Sequence, residues 1–154
     1  MKNSIIFVIA LHLMTLTVYG QKKEVPGLVK KAFEQRVPNP KSVEWEFNSE
    51  DKLWEVEYKI GKEEFTSAFD ENGKWVETEK EMKFSKLPEQ VKATIKADYS
   101  QYKVDEVEYV ESPDGIFYEI KAELVKDKKE LEFEILISLD GKVIQVKEEE
   151  EDKD

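Results

Sequence analysis

The sequence contains no cysteine and only one histidine, His12, in 154 residues. Without cysteine there is no disulfide to staple the fold, and no thiolate to serve as nucleophile or metal ligand. Long apolar runs are absent except for Ile5 to Val18. No glycine-rich phosphate cradle, calcium-loop spacing or redox motif occurs, and basic residues are outnumbered 24 to 35.

The apolar run follows Lys2 and precedes Val18-Tyr19-Gly20. A basic start, an apolar run and a small-residue exit form the secretory pattern, so residues 1–20 read as a signal peptide cleaved before Gln21. The run is too short and too poorly flanked for a membrane anchor, and no cysteine follows it to carry a lipid. Cleavage removes His12 along with Lys2. The mature chain then has neither cysteine nor histidine, which excludes Ser-His-Asp and Cys-His nucleophilic sites, zinc sites of the usual kind and haem ligation. The localisation that follows is periplasmic or secreted, with no membrane insertion after cleavage. With Lys2 gone, the formal charge moves from −11 to about −12. Such a chain repels nucleic acid phosphates and anionic lipid, so a charged partner is expected to be basic.

The mature part says the same thing twice. "VPGLVKKAFEQRV" from Val25 and "LPEQVKATIKADY" from Leu87 align at an offset of 62, pairing Val25-Pro26 with Leu87-Pro88, Val29 with Val91 and Phe33 with Ile95. Val25, Leu28, Val29, Ala32 and Phe33 fall on one helical face, as do Leu87, Val91 and Ile95. Each proline sits at the helix start, where its missing N–H costs nothing, and Pro38 and Pro40 stop the first helix.

After each helix the period changes from 3.6 to 2. Strands are expected at Val43–Phe47, Trp54–Ile60, Phe65–Phe69 and Lys74–Thr78, then at Lys103–Val110, Ile116–Leu124, Glu130–Leu139 and Lys142–Lys147. "DENG", "SPDG", "KDKK" and Asp140-Gly141 supply turns. A unit of about sixty residues buries too little surface to be stable alone. The expected fold is therefore α+β: two tandem repeats, each one helix followed by a four-stranded antiparallel sheet, merging into one eight-stranded sheet with both helices on one face. The boundaries read as signal peptide 1–20, first repeat 21–82, second repeat 83–147 and a disordered acidic tail 148–154.

Together "VPGLVKKAFEQRVPNPKSVEWEF", "WEVEYKIGKEEFTSAFDENGKWVETEKEM" and "LPEQVKATIKADY" resemble the PepSY-like proteins exported by Bacteroidetes-type bacteria, a family similar to the beta-lactamase inhibitory protein. The resemblance covers nearly all of residues 24–147. It implies a tandem helix-plus-sheet architecture and an inhibitory or protein-binding role, and the family has no catalytic motif to carry over. This chain differs from that inhibitor in lacking disulfides and in presenting mostly glutamate on the open sheet face.

That face is the expected working surface. Alternation puts Glu44, Glu46, Glu55 and Glu57 on it in the first repeat, and Glu119, Glu123, Glu132 and Glu134 in the second, with Leu53 and Phe117 as apolar interruptions. The partner-binding candidates are Leu53, Glu55, Glu57, Trp75, Phe117 and Glu119, an apolar-in-acidic pattern suited to a basic-rimmed partner. The structural reading of the same residues is that glutamate keeps a solvated face soluble while Phe117 packs under a neighbouring loop. Trp45 and Trp54 fall in phase with the core, whereas the phase of Trp75 is ambiguous.

Carboxylate pairs at glycosidase spacing arise by chance among so many glutamates, and nothing marks two as desolvated, so no catalytic residue, cofactor or metal is assigned. The function expected is a monomeric, exported, non-enzymatic binding module for a protein or peptide, possessing inhibitor character if the resemblance holds. The alternative is an acidic periplasmic sensor responding to cations or small ligands, and a third reading is an envelope component without a defined ligand.

Overall fold

The computed structural model describes residues 23–126 and 128–148. The expected signal peptide, residues 1–20, and the acidic tail beyond Glu148 lie outside the described residues. Helix α1 spans Gly27–Arg36, and strands β1 Lys41–Asn48, β2 Leu53–Ile60, β3 Glu63–Asp70 and β4 Trp75–Glu81 follow it. After a short 3-10 turn at Phe84–Lys86, helix α2 spans Glu89–Asp98. It is followed by β5 Lys103–Ser112, β6 Gly115–Lys126, β7 Lys129–Ser138 and β8 Val143–Glu148. Each strand hydrogen-bonds to the next in chain order in one open eight-stranded sheet. The chain forms two compact units that divide between Thr78 and Glu79, inside β4.

The helices form for the same local reason. Pro26 and Pro88 stand at the N-cap with extended backbone, and their carbonyls accept the first helical bonds, from Lys30 and Lys92 at 3.1 and 3.0 Å. Val29, Phe33 and Val37 of the first unit are buried at i, i+4, i+8, and so are Leu87, Val91 and Ile95 of the second. Each of these side chains contributes roughly 1.5–3 kcal/mol by leaving water. Leu28 departs from the expected stripe, because it is 62% exposed. It lies one position off the i, i+4, i+8 line, and its backbone rather than its side chain meets the sheet.

In the first unit the helix covers an aromatic core. Phe33 stands at its centre, with ring centroids 5.3 Å from Trp45, 5.2 Å from Tyr58 and 6.3 Å from Phe69, all edge-on. In the second unit Ile95 occupies the equivalent place over Val107, Ile120, Ile135 and Ile137. The repeat thus preserves position while exchanging aromatic for aliphatic filling. Trp45 and Trp54 join the core as their phase requires.

The last hairpin of each unit locks onto the helix by a shared device. Asp70 and Gly73 close one turn, with Gly73 N–H donating to the Asp70 carbonyl at 2.9 Å; Ser138 and Gly141 close the other with the same bond at 2.9 Å. Both glycines have positive φ, 82° and 84°. A Cβ on Gly73 would lie 2.7 Å from the Leu28 carbonyl oxygen, and one on Gly141 would lie 2.8 Å from that of Gln90. Leu28 and Gln90 are related by the same offset of 62 as the helices, so the second copy reproduces the seat of turn on helix.

Gly73→Ala and Gly141→Ala should each destabilise the protein by about 2–4 kcal/mol, since strain at positive φ adds to a backbone clash. Gly61→Ala, at φ 65° but with nothing within 4 Å of the new Cβ, should cost only about 1 kcal/mol. Denaturant melts of the three variants check the order.

Candidate functional site

With α1 on one side, the residues of the first unit that alternate outward share the opposite face. On β2 these are Leu53, Glu55 and Glu57, and across the β1 ladder Glu46 lies opposite Glu55 and Glu44 opposite Glu57. On the β3 side Ala68 faces Glu55 and Thr66 faces Glu57. Leu53 and Ala68 are buried and pack with Val76 in a small apolar cluster on this face. Glu44, Glu46 and Glu57 are exposed, while Glu55 is buried.

Two cross-strand pairs of like charge therefore adjoin one another, an arrangement that costs stability. Asn48 manages part of it. Its Oδ1 accepts the N–H of Glu50 and Asp51 at 3.0 and 3.2 Å, fixing the β1–β2 turn, and its Nδ2 donates to Glu55 at 2.9 Å. Burial nevertheless pushes the Glu55 carboxyl up, the Asn48 bond works against that, and the neighbouring Glu46, Asp51 and Glu57 charges add to it. A groove of about 530 Å³ runs along β1, lined by Glu44, Glu46, Glu55 and Glu57 with Val43 and Trp45, and by Lys23, Val25 and Lys30.

The second unit solves the same problem differently. Glu106, Lys121, Glu134 and Lys147 lie directly opposite one another in turn across β5, β6, β7 and β8, so the signs alternate. Lys121 Nζ is 3.0 Å from Glu106 and 3.2 Å from Glu108, and Lys147 Nζ is 3.7 Å from Glu134. Burial pushes Glu108 up in spite of Lys121. Burial also opposes the charged form of Lys121, but Glu108 and Glu106 together outweigh it and hold the ammonium above its ordinary value. A neighbouring row places Glu108 opposite Glu119 and Glu119 opposite Leu136, and the next places Val110 opposite Phe117.

The six residues marked by the sequence are thus dispersed. Leu53, Glu55 and Glu57 come together on the first unit's open face, and Phe117 and Glu119 sit on the corresponding face of the second. Phe117 is 7% exposed and Glu119 fully buried, so the expected bare acidic surface is in fact half-filled. The reason is that long side chains in adjoining rows cover one another. Phe117 packs as the structural reading had it, with its ring 3.7 Å from the position of a Gly115 Cβ. Trp75 falls on the other side, with the core under α1; the Arg36 guanidinium lies 3.3 Å over its ring and its Nε1 donates to Thr78 at 3.0 Å.

Lys121 and Asn48 were missed by sequence reasoning. Their roles depend on cross-strand register, and only the lengths of the turns carried a hint of that. Among the described residues no group of three or more acidic or histidine side chains is placed to hold a metal ion.

Lys121→Met should destabilise the protein by about 3 kcal/mol at neutral pH, because it leaves buried carboxylates without their cation. A carboxyl raised in the folded state gains stability as pH falls from its folded value towards about 4.3. The deficit of the variant should therefore shrink on acidification, and Glu108→Gln should flatten the acid-side rise of the wild type. Chemical denaturation between pH 4 and 8 measures both.

Comparison with known proteins fits this geometry. No curated protein matches the chain. Among solved structures, a BLIP-like protein from Bacteroides fragilis superposes with a TM-score of 0.70 at 20% identity, covering 86% of this chain and 93% of the other. A DUF2874 family protein from Bacteroides uniformis gives 0.69 at 18%, covering 80% and 88%. A protein from Bacteroides eggerthii described as "putative periplasmic" gives 0.69 at 17%, covering 82% and 90%. These likenesses establish the fold. Residues 56–145, from β2 into β8, match the sequence profile of the family described as "Putative beta-lactamase-inhibitor-like, PepSY-like", and the chain belongs to that PepSY-like family.

Proposed function

We propose that this protein is an exported, non-enzymatic binding module that holds a basic protein or peptide segment on the sheet face turned away from α1, acting in the periplasm or outside the cell as a monomer. The observation that carries this reading is the pair of like-charge rows, Glu44 opposite Glu57 and Glu46 opposite Glu55. Among the described residues no ion pair reaches Glu44, Glu46 or Glu57. A cationic partner would relieve that repulsion, so binding and self-stabilisation draw on the same charges.

The roles differ by exposure. Glu57, Glu44 and Glu46 are the contact groups; Leu53 and Glu55 form the floor beneath them, and Phe117 and Glu119 do so on the second unit. Trp75 keeps only a structural part. Inhibition of an envelope or secreted protein fits the family's description and the name of the Bacteroides fragilis neighbour. Export rests on the N-terminal sequence pattern and on the description of the Bacteroides eggerthii neighbour. Among the described residues no helix is long and apolar enough to cross a membrane.

Partners captured from an envelope extract on the immobilised protein, then purified and titrated, test the reading. Glu57→Lys, at an exposed site where folding tolerates the change, should weaken the measured affinity about tenfold and reduce its salt dependence. Unchanged affinity in Glu57→Lys would reject the face. For the sensor alternative, melting with and without millimolar calcium is decisive: a specific cation site raises the midpoint by mass action, whereas a protein-binding face leaves it nearly unmoved.

A further inference from the structure

Strand β1 ends the strand order, so among the described residues its outer edge pairs with nothing. The orientation of its main-chain groups follows from the next hairpin. Gly61 and Lys62 alone connect Ile60 to Glu63, which are opposite one another, and the pair that closes a two-residue hairpin is a hydrogen-bonded pair. Alternation along the ladder then turns the main chain of Trp54, Val56 and Tyr58 towards β3 and that of Leu53, Glu55 and Glu57 towards β1. Opposite them, Glu44, Glu46 and Asn48 bond inward. The C=O of Val43 and the N–H and C=O groups of Trp45 and Phe47 consequently point out of the sheet.

The usable length of this edge is short. A register shift between Lys41 and Glu44, with φ of 54° at Asn39 and 51° at Ser42, disrupts its first part. From Glu44 to Asn48 the register is unbroken. Bulges of this kind ordinarily guard an edge against unwanted pairing. Here the guard covers one end only; at the other Lys23 Nζ lies 3.2 Å from the Phe47 ring centroid, and the groove of about 530 Å³ that Lys23, Val25, Lys30, Val43 and Trp45 line runs alongside.

We propose that the partner segment is an extended strand that adds antiparallel to the outer edge of β1 at Val43–Phe47 and carries the pattern basic–apolar–basic. The inference deepens the binding reading above and rests on it. Side chains of a strand added there alternate in step with β1. Residues opposite Glu44 and Glu46 fall on the acidic face, where lysine or arginine meets the two like-charge rows. The residue between them lies opposite Trp45, on the groove side near Val25, where an apolar side chain fits. Main-chain bonds supply the affinity and the carboxylates supply the selection.

A blocked peptide of alternating lysine and valine is the probe, titrated into isotope-labelled protein and followed by amide shifts. The expected result is saturable binding with the largest shifts at Val43, Trp45 and Phe47, and at least about a tenfold loss of affinity in Glu44→Lys and in Glu46→Lys. N-methylation of the valine opposite Trp45 should abolish binding, because that residue's N–H faces the sheet. N-methylation of a flanking lysine, whose N–H faces away, should be tolerated. An alternating glutamate and valine peptide should not bind.

Equal binding of both N-methylated peptides, shifts that avoid β1, or no binding at all would each overturn the proposal, as would concentration-dependent self-association that Glu44→Lys removes. Melts of the two charge-reversal variants confirm that they fold. If a captured protein loses affinity with Glu57→Lys while the peptide does not bind, the edge proposal fails and the face reading stands. If the peptide binds at β1 and Glu57→Lys leaves the captured protein unaffected, the face reading fails instead.

Discussion

Each unit has two sheet faces to cover and one ten-residue helix to cover them with. A helix of that length spans about 15 Å, against about 27 Å for an eight-residue strand. The helix therefore takes one face and most of the large apolar side chains, and the second face is held by cross-strand pairing together with a few apolar side chains such as Leu53 and Phe117. That shortage governs which residues are core, which are charged and where a partner is able to bind. With no disulfide to help, the seat of each terminal hairpin glycine on its helix fixes the angle at which the single cover is applied.

The two units meet the demand of the second face in different ways. In the second, oppositely charged side chains alternate in one row across four strands, and Lys121 pairs with both Glu106 and Glu108 of β5, although Glu108 also stands opposite Glu119. Such a row is internally neutralised, with Glu134 buried and Lys121 half-buried while Lys147 stays exposed. In the first, like charges stand opposite one another and only Asn48 offers a donor to the buried member. One face is a finished structural element, whereas the other retains an electrostatic debt that an external cation can settle. This contrast, more than total acidity, is the reason the proposed binding face is assigned to the first unit.

Shared fold does not by itself carry function. Structures sharing about a fifth of the sequence retain the architecture, because the helix stripe, the strand alternation and the turn glycines suffice to specify it. A scaffold can keep those features and change every outward residue, so shared architecture does not transmit a partner. In this chain the outward positions of β1 and β2 carry glutamates, and the register of β1 is irregular at one end only.

The repeat, the phase of most strands and the principal turn residues were determined by the sequence itself, because each depends on spacing within a short window: i, i+4 for Val29 and Phe33, i, i+2 for Trp54 and Val56, and a glycine at the turns of Gly73 and Gly141. The face on which Glu44, Glu46, Glu55 and Glu57 lie was legible for the same reason. Exposure was not. Whether Phe117 projects or packs, whether Glu119 meets water, and which carboxylates Lys121 neutralises depend on neighbours contributed by strands far apart in the chain. Trp75 shows the limit most simply, since a position just after a turn has no settled phase until the sheet assigns it one. Tertiary structure alone decided these points, because register between strands converts a list of glutamates into pairs that either compensate or repel.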